Sequence, residues 1–188
     1  MSLNVAKFMD RHVILLYDNE ESAHRIQFEF LSMPLSLNKN VIYLTDSEPG
    51  TVIEKMNDFG IDTDYYLSRN LLHVIQIPDL LQGPEGARTT NEKFMSGLLT
   101  SIKPPYYVVG RSFPDLTKDG AVEAELEAEV IFHSNFARFN GACLCSYKKD
   151  LLTQLPDDAK QQILHNHHMI IDASVSGDRI IEDSDTIR

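Results

Sequence analysis

The sequence predicts a single-domain α/β protein, residues 1–188, in which a mainly parallel central sheet carries helices on both faces. Three observations lead there. Short, continuous apolar runs recur along the chain, stretches with helical spacing separate them, and 188 residues, 43% of them hydrophobic, suffice for one sizeable core. Continuous rather than alternating apolar strands are what a sheet buried on both faces requires.

The elements follow in order. "HVILLY" (His12–Tyr17) is a buried strand that ends at a turn. Asp18 and Glu21 then have capping-box spacing, and Ala23, Ile26, Phe30 and Met33 recur at helical intervals until Pro34 ends or kinks the helix. "NVIYLT" (Asn40–Thr45) is a second strand, and "SEPGTVIEKMNDFG" a second helix whose Val52, Met56 and Phe59 line one face before Gly60 closes it. "LLHVIQI" (71–77) is a third strand, followed by a glycine- and proline-rich loop, "PDLLQGPEGARTT", of a length that often serves function. A helix over 91–101 stops at Pro104 and Pro105, "YYVVG" (106–110) is a fourth strand, and residues 119–139 are strongly helical. "GACLCSY" (141–147), a helix over 156–166 and "HMIIDA" (168–173) complete the alternation. The acidic segment 174–188 reads as a terminal hairpin or a flexible tail.

Composition excludes several partners. Twenty-eight acidic against seventeen basic residues give a net charge of -11 with no basic cluster, which repels nucleic-acid phosphates and anionic lipid. Neither a signal peptide nor a membrane-spanning run is present in the sequence, so a cytoplasmic protein is expected. Cys143 and Cys145 share one face of a strand and are expected as reduced, buried thiols. They could in principle join His165, His167 or His168 around a metal, but the paired spacing of a structural zinc site is missing, so no metal is expected.

In such sheets ligands sit beyond the carboxyl ends of the strands. That rule singles out Tyr17, Asp18, Glu21, Asp46, Arg111 and Tyr147 as candidate ligand-binding residues. A phosphate-binding first junction needs glycines to wrap the phosphates and a lysine to reach them. "YDNEESAH" has neither, and it places Asp18, Glu20 and Glu21 where a helix N-terminus would otherwise attract a triphosphate. The charge of that site is reversed.

Residues 26–79, with a helix of the "IQFEF" kind, a strand, a proline-started helix and an "FG" followed by an acidic residue, resemble the second part of a KaiC-type module of the RecA-like fold. More specifically the chain resembles the MEDS (methanogen/methylotroph, DcmR sensory) domain, a degenerate KaiC relative, through His12, "LLYDNEE", the Leu126–Glu127 pair, "LCSY" and "LHNHHMII". The resemblance covers residues 12–171 and implies a three-layer RecA/KaiC-like fold, a sensory role, and a Glu127 that points inward. It departs from the family where Gly110 is followed by Arg111 instead of glutamate. Beside KaiC-type sequences, Asp46 and Ser47 stand where paired catalytic glutamates are expected.

The expected function is therefore a non-catalytic sensory or signal-transduction module. It would bind a small organic ligand or a separate signalling protein at the strand ends, without ATP, magnesium or another cofactor. Two alternatives stand beside it: a residual nucleotide binder or ATPase-related enzyme that uses Arg88, Arg111 or Lys148 in place of the lost lysine, and an oligomeric interaction module.

Overall fold

The computed structural model describes residues 5–8, 10–173 and 179–181. Seven strands form one sheet: β1 (His12–Tyr17), β2 (Asn40–Thr45), β3 (Leu72–Gln76), β4 (Tyr106–Val109), β5 (Gly141–Lys148), β6 (Met169–Ala173) and β7 (Arg179–Ile181), in the spatial order β3-β2-β4-β5-β1-β6-β7. β1 to β6 pair in parallel, and β7 lies antiparallel to β6 at the edge. Beyond β7, the rest of segment 174–188 lies outside the described residues.

Among the described residues seven α-helices cover the sheet: α1 (Glu20–Ser36), α2 (Pro49–Phe59), α3 (Thr63–Ser68), α4 (Ala87–Ser101), α5 (Ala121–Asn135), α6 (Lys149–Gln154) and α7 (Asp157–His165). Because strand side chains alternate, each strand feeds two cores. Val13, Leu15, Val41, Tyr43, Val109 and Leu144 pack against α1, α2 and α3, whereas Ile14, Ile42, Leu44, Val108, Cys143 and Cys145 pack against α4, α5, α6 and α7. The expected three-layer α/β architecture is present.

Local details correct the sequence reading. The first helix is capped by Asn19, whose Oδ1 accepts from the Ser22 N–H at 2.9 Å, not by Asp18. A strand that ends at Tyr17 needs two further residues before the chain can turn into α1, which moves the cap one position on. Pro34 neither ends nor breaks that helix, which continues to Ser36. On the face lined by Val52, Met56 and Phe59 the first two are buried and Phe59 is 42% exposed, and Gly60 closes α2 in the left-handed conformation as expected. The loop after β3 is shorter than predicted, since α4 starts at Ala87, and the short helices α3 and α6 lie in stretches to which the sequence reading assigns no element.

Gly110 sets the geometry at the end of β4. Its φ of +125° is reached readily only by glycine, and a Cβ there would lie 2.6 Å from the Leu44 carbonyl oxygen of the neighbouring strand. The close approach turns the chain so that Arg111 enters the layer beneath α5. Gly110→Ala is expected to lower unfolding stability by at least ~2 kcal/mol, through backbone strain and the steric clash together. Gly97→Ala, in helix α4 with open space around it, should raise stability by about 0.5–1 kcal/mol. Urea denaturation of the two variants checks both signs.

Candidate functional site

On the face covered by α5, a column of polar side chains is sealed inside the protein. β4 delivers Arg111, β5 delivers Cys145 and Tyr147, and β1 begins with His12 on the same face. From above, α5 contributes Glu125 and Glu129, one helical turn apart and therefore on one side of the helix. His167 enters from the turn between α7 and β6. These groups are almost fully buried: His12 0%, His167 1%, Tyr147 1%, Glu125 2%, Glu129 5%, Cys145 5% and Arg111 8% exposed.

Arg111 is held on every side. Its Nε donates to the Ser146 carbonyl at 2.8 Å, its terminal nitrogens donate to the Phe113 and Pro114 carbonyls, and one of them reaches Glu125 Oε1 at 3.0 Å. The guanidinium also lies 4.0 Å above the centre of the Tyr147 ring. Burial works against the Arg111 charge, but Glu125 and Tyr147 outweigh it and hold the group above its usual range. Burial likewise raises Glu125, and Arg111 pulls it back.

Tyr147 joins the two carboxyls. Its hydroxyl lies 2.6 Å from Glu125 Oε1 and 2.7 Å from Glu129 Oε1. A phenol has one hydrogen to donate, and two contacts this short need a second. Glu129 is the better source: burial pushes its carboxyl up to about 7, whereas Glu125 has Arg111 to favour its ionised form. Burial and the two carboxyls in turn raise the Tyr147 phenol well above its ordinary value.

Past Glu129 the column continues to two histidines and a thiol. His12 Nε2 is 3.3 Å from Cys145 Sγ and 3.4 Å from Glu129 Oε2, and His167 Nε2 is 3.6 Å from the same oxygen. The four donor atoms lie within 4.8 Å of one another. Burial, followed by the neighbouring His167, lowers His12 well below the usual imidazole range, and burial lowers His167 to about 4. The contact with Cys143, together with burial, raises the Cys145 thiol. Both cysteines are free and buried, as expected.

Beside this column lies a cavity of about 200 Å³ between α4, α5 and the sheet. Met95 and Leu99 of α4 and Ala128, Ile131 and Phe132 of α5 give it apolar walls, while Arg111, Glu125, Glu129 and Cys145 form its polar end. At its rim Arg88 bridges Glu92 at 3.0 Å and Glu127 at 2.8 Å.

The seven predicted residues fall into three places. Arg111 and Tyr147 come together in the buried column. Tyr17 packs on the opposite sheet face beside α1, its hydroxyl pushed up to about 12 by burial and by Glu20, with exposed Asp18, Glu21 and Asp46 around the strand ends. Glu127 does not point into the core: its side chain is 45% exposed and pairs with Arg88 at the cavity rim. Two residues away along a helix is the far side, so the inward carboxylates are Glu125 and Glu129. The sequence offers Cys145 and His167 as metal candidates only alongside Cys143, His165 and His168, and nothing in the local spacing reveals that residues 12, 129, 145 and 167 converge.

The reversed first junction is built as the sequence suggests, with an unforeseen cation. Lys149 Nζ lies 3.1 Å from Asp18 and 2.5 Å from Asp172, bridging the ends of β1 and β6.

No protein-family profile and no curated protein matches the sequence. Solved structures do match. One is a KaiC-like protein from the hyperthermophilic archaeon Pyrococcus horikoshii OT3, with a TM-score of 0.65 at 10% identity over 87% of this chain and 71% of that one. The fold is thus KaiC-like, of the RecA-like α/β class. Among the described residues no helix is long and apolar enough to cross a membrane.

Arg111→Met removes the cation paired with Glu125 and is expected to destabilise the protein by ~3–5 kcal/mol, the cost of stranding a buried charge. Glu127→Gln should leave the urea midpoint unchanged, since its ion pair faces solvent.

Proposed function

We propose that the chain is a non-catalytic sensory module that binds a small organic ligand in the cavity between α4 and α5. The cavity itself carries this reading: apolar walls that end on a few convergent, fully buried polar groups are the usual make-up of a small-molecule site. Its size suits a compact ligand with one polar end, the apolar part against Met95, Leu99 and Phe132 and the polar end toward Arg111 and Glu129. The resemblance of His12, "LCSY" and "LHNHHMII" to the MEDS domain supports a sensory rather than a catalytic role.

The first junction supports the same reading. Asp18, Glu20 and Glu21 surround the start of α1, and the nearby Lys149 is already engaged by two aspartates, so a triphosphate would meet carboxylates there. We further propose that the signal passes to a separate signalling protein or to a second copy of the chain.

Native mass spectrometry of the purified protein tests the ligand. A small-molecule adduct is expected, and Ala128→Phe, which fills the cavity beside α5, should abolish it while leaving the circular dichroism spectrum intact. Tight, magnesium-dependent binding of ATP or ADP in a calorimetric titration would replace this reading with the nucleotide-binding one.

A further inference from the structure

The geometry points to a zinc site formed by His12 Nε2, Glu129 Oε2, Cys145 Sγ and His167 Nε2. It shares Glu129 and Cys145 with the polar end of the cavity, but it does not rest on the ligand reading above, because its four donors converge whether or not the cavity is filled.

The donor set fits the ion in type. Two imidazoles, a carboxylate and a thiolate are the ligands zinc takes, and four protein donors with no open position make a structural rather than a catalytic centre. It also fits in size. Zinc bonds of about 2.0–2.3 Å in a tetrahedron put neighbouring donors roughly 3.3–3.6 Å apart. The three separations given above, at 3.3, 3.4 and 3.6 Å, fall in that range, and no pair exceeds 4.8 Å.

Two donor atoms have nothing else to do. Glu129 Oε2 and His167 Nε2 are buried and make no hydrogen bond, which is costly for polar atoms sealed from water. Their partner atoms, by contrast, are fixed. His167 Nδ1 lies 2.7 Å from the Ile163 carbonyl, which can only accept, so the ring proton sits on Nδ1 and the Nε2 lone pair is free to bind. Glu129 Oε1 is held by the Tyr147 hydroxyl, which leaves Oε2 facing the two histidines and the thiol. Oriented outer partners of this kind are typical of metal sites.

Backbone contacts also fix the ligand-bearing segments. The His168 N–H donates to the His12 carbonyl at 2.7 Å, and the His12 N–H donates to His168 Nδ1 at 2.9 Å, so the two histidine-bearing segments are locked side by side. On binding, the Cys145 thiol proton and the Glu129 carboxyl proton leave to solvent, Tyr147 then donates to the Glu129 carboxylate, and the ion ties α5 and the turn before β6 to strands β1 and β5.

The test is direct metal titration of the native chain after chelator treatment. Zinc(II) is expected to bind at one ion per chain by elemental analysis and to raise the thermal midpoint. Cobalt(II) in its place should give a thiolate charge-transfer band and the intense visible bands of a tetrahedral ion. Cys145→Ser should abolish the charge-transfer band, while Cys143→Ser, whose sulfur is 3.7 Å from Cys145 but outside the donor set, should keep it. Tyr147→Phe should keep the spectrum and weaken zinc ten- to hundred-fold, as loss of an outer-shell hydrogen bond does. His165→Ala, on the exposed helix end, should change nothing. A native chain that binds no zinc, a cobalt complex without a sulfur band, or binding lost in His165→Ala but kept in Cys145→Ser would each overturn the site. Near-ultraviolet dichroism confirms that each variant is folded, and the native titration decides the matter even if a variant is not.

Discussion

A parallel sheet covered on both faces leaves no water for a charged side chain, and the arrangement of this protein follows from how that constraint is met around Arg111. Once the chain turns at Gly110, the guanidinium lies in a layer otherwise filled by Val108, Leu44 and Cys143. Removed from water, it needs carbonyls, a ring face and a carboxylate, and it finds the Ser146, Phe113 and Pro114 carbonyls, Tyr147 and Glu125. Those partners fix the loop after β4, the end of β5 and the rotation of α5. Because Glu125 faces the sheet, Glu129 must face it too, one turn further on, and the polar column down to His12 is a consequence.

This explains what was legible in the sequence and what was not. The fold class rests on patterns of four to eight consecutive residues, such as "HVILLY" and "NVIYLT", and such local patterns survive folding unchanged. The cap shifted from Asp18 to Asn19 because adjacent residues of similar chemistry compete for one position, and the length of the preceding strand decides between them. The segment "AVEAELEAEV" was legible as a helix but not in rotation. Its glutamates at alternate positions fall into two opposite pairs, Glu123 with Glu127 and Glu125 with Glu129, and only Arg111, Tyr147 and the histidines on the sheet side select the second pair. His12, Cys145 and Tyr147 of "LCSY" and His167 of "LHNHHMII" meet in one buried column, whereas Glu127 lies outside it against Arg88. Their meeting is a long-range fact that no window of sequence contains.

The first junction follows the same logic in reverse. Where a KaiC-like scaffold could carry a lysine free to meet a phosphate, this chain has Lys149 immediately after β5, already neutralised by Asp18 and Asp172. A lysine between two aspartates gains little from an incoming phosphate, which would have to displace one carboxylate while meeting the other, along with Glu20 and Glu21. The salt bridges close the ends of β1 and β6 from within, while a cavity persists under α5 beside β4 and β5.

Helix α5 is where the separate features meet. Its inner side carries Glu125 and Glu129, its flank lines the cavity with Ala128, Ile131 and Phe132, and its outer side holds Glu127 against Arg88 of α4. Those positions lie within two turns of one helix, so a displacement of α5 large enough to open or fill the cavity cannot leave the carboxyl positions untouched. Glu125 is bound to a guanidinium that is itself fixed to three carbonyls, which makes that end of the helix the fixed point. The far end, around Phe132 and Phe136, rests on rings and on His12, contacts that can slide without breaking a hydrogen bond. Helix α5 is thus held by charge toward its N-terminal end and by ring packing toward its C-terminal end, and Glu129, bonded to the Tyr147 hydroxyl, stands between the two.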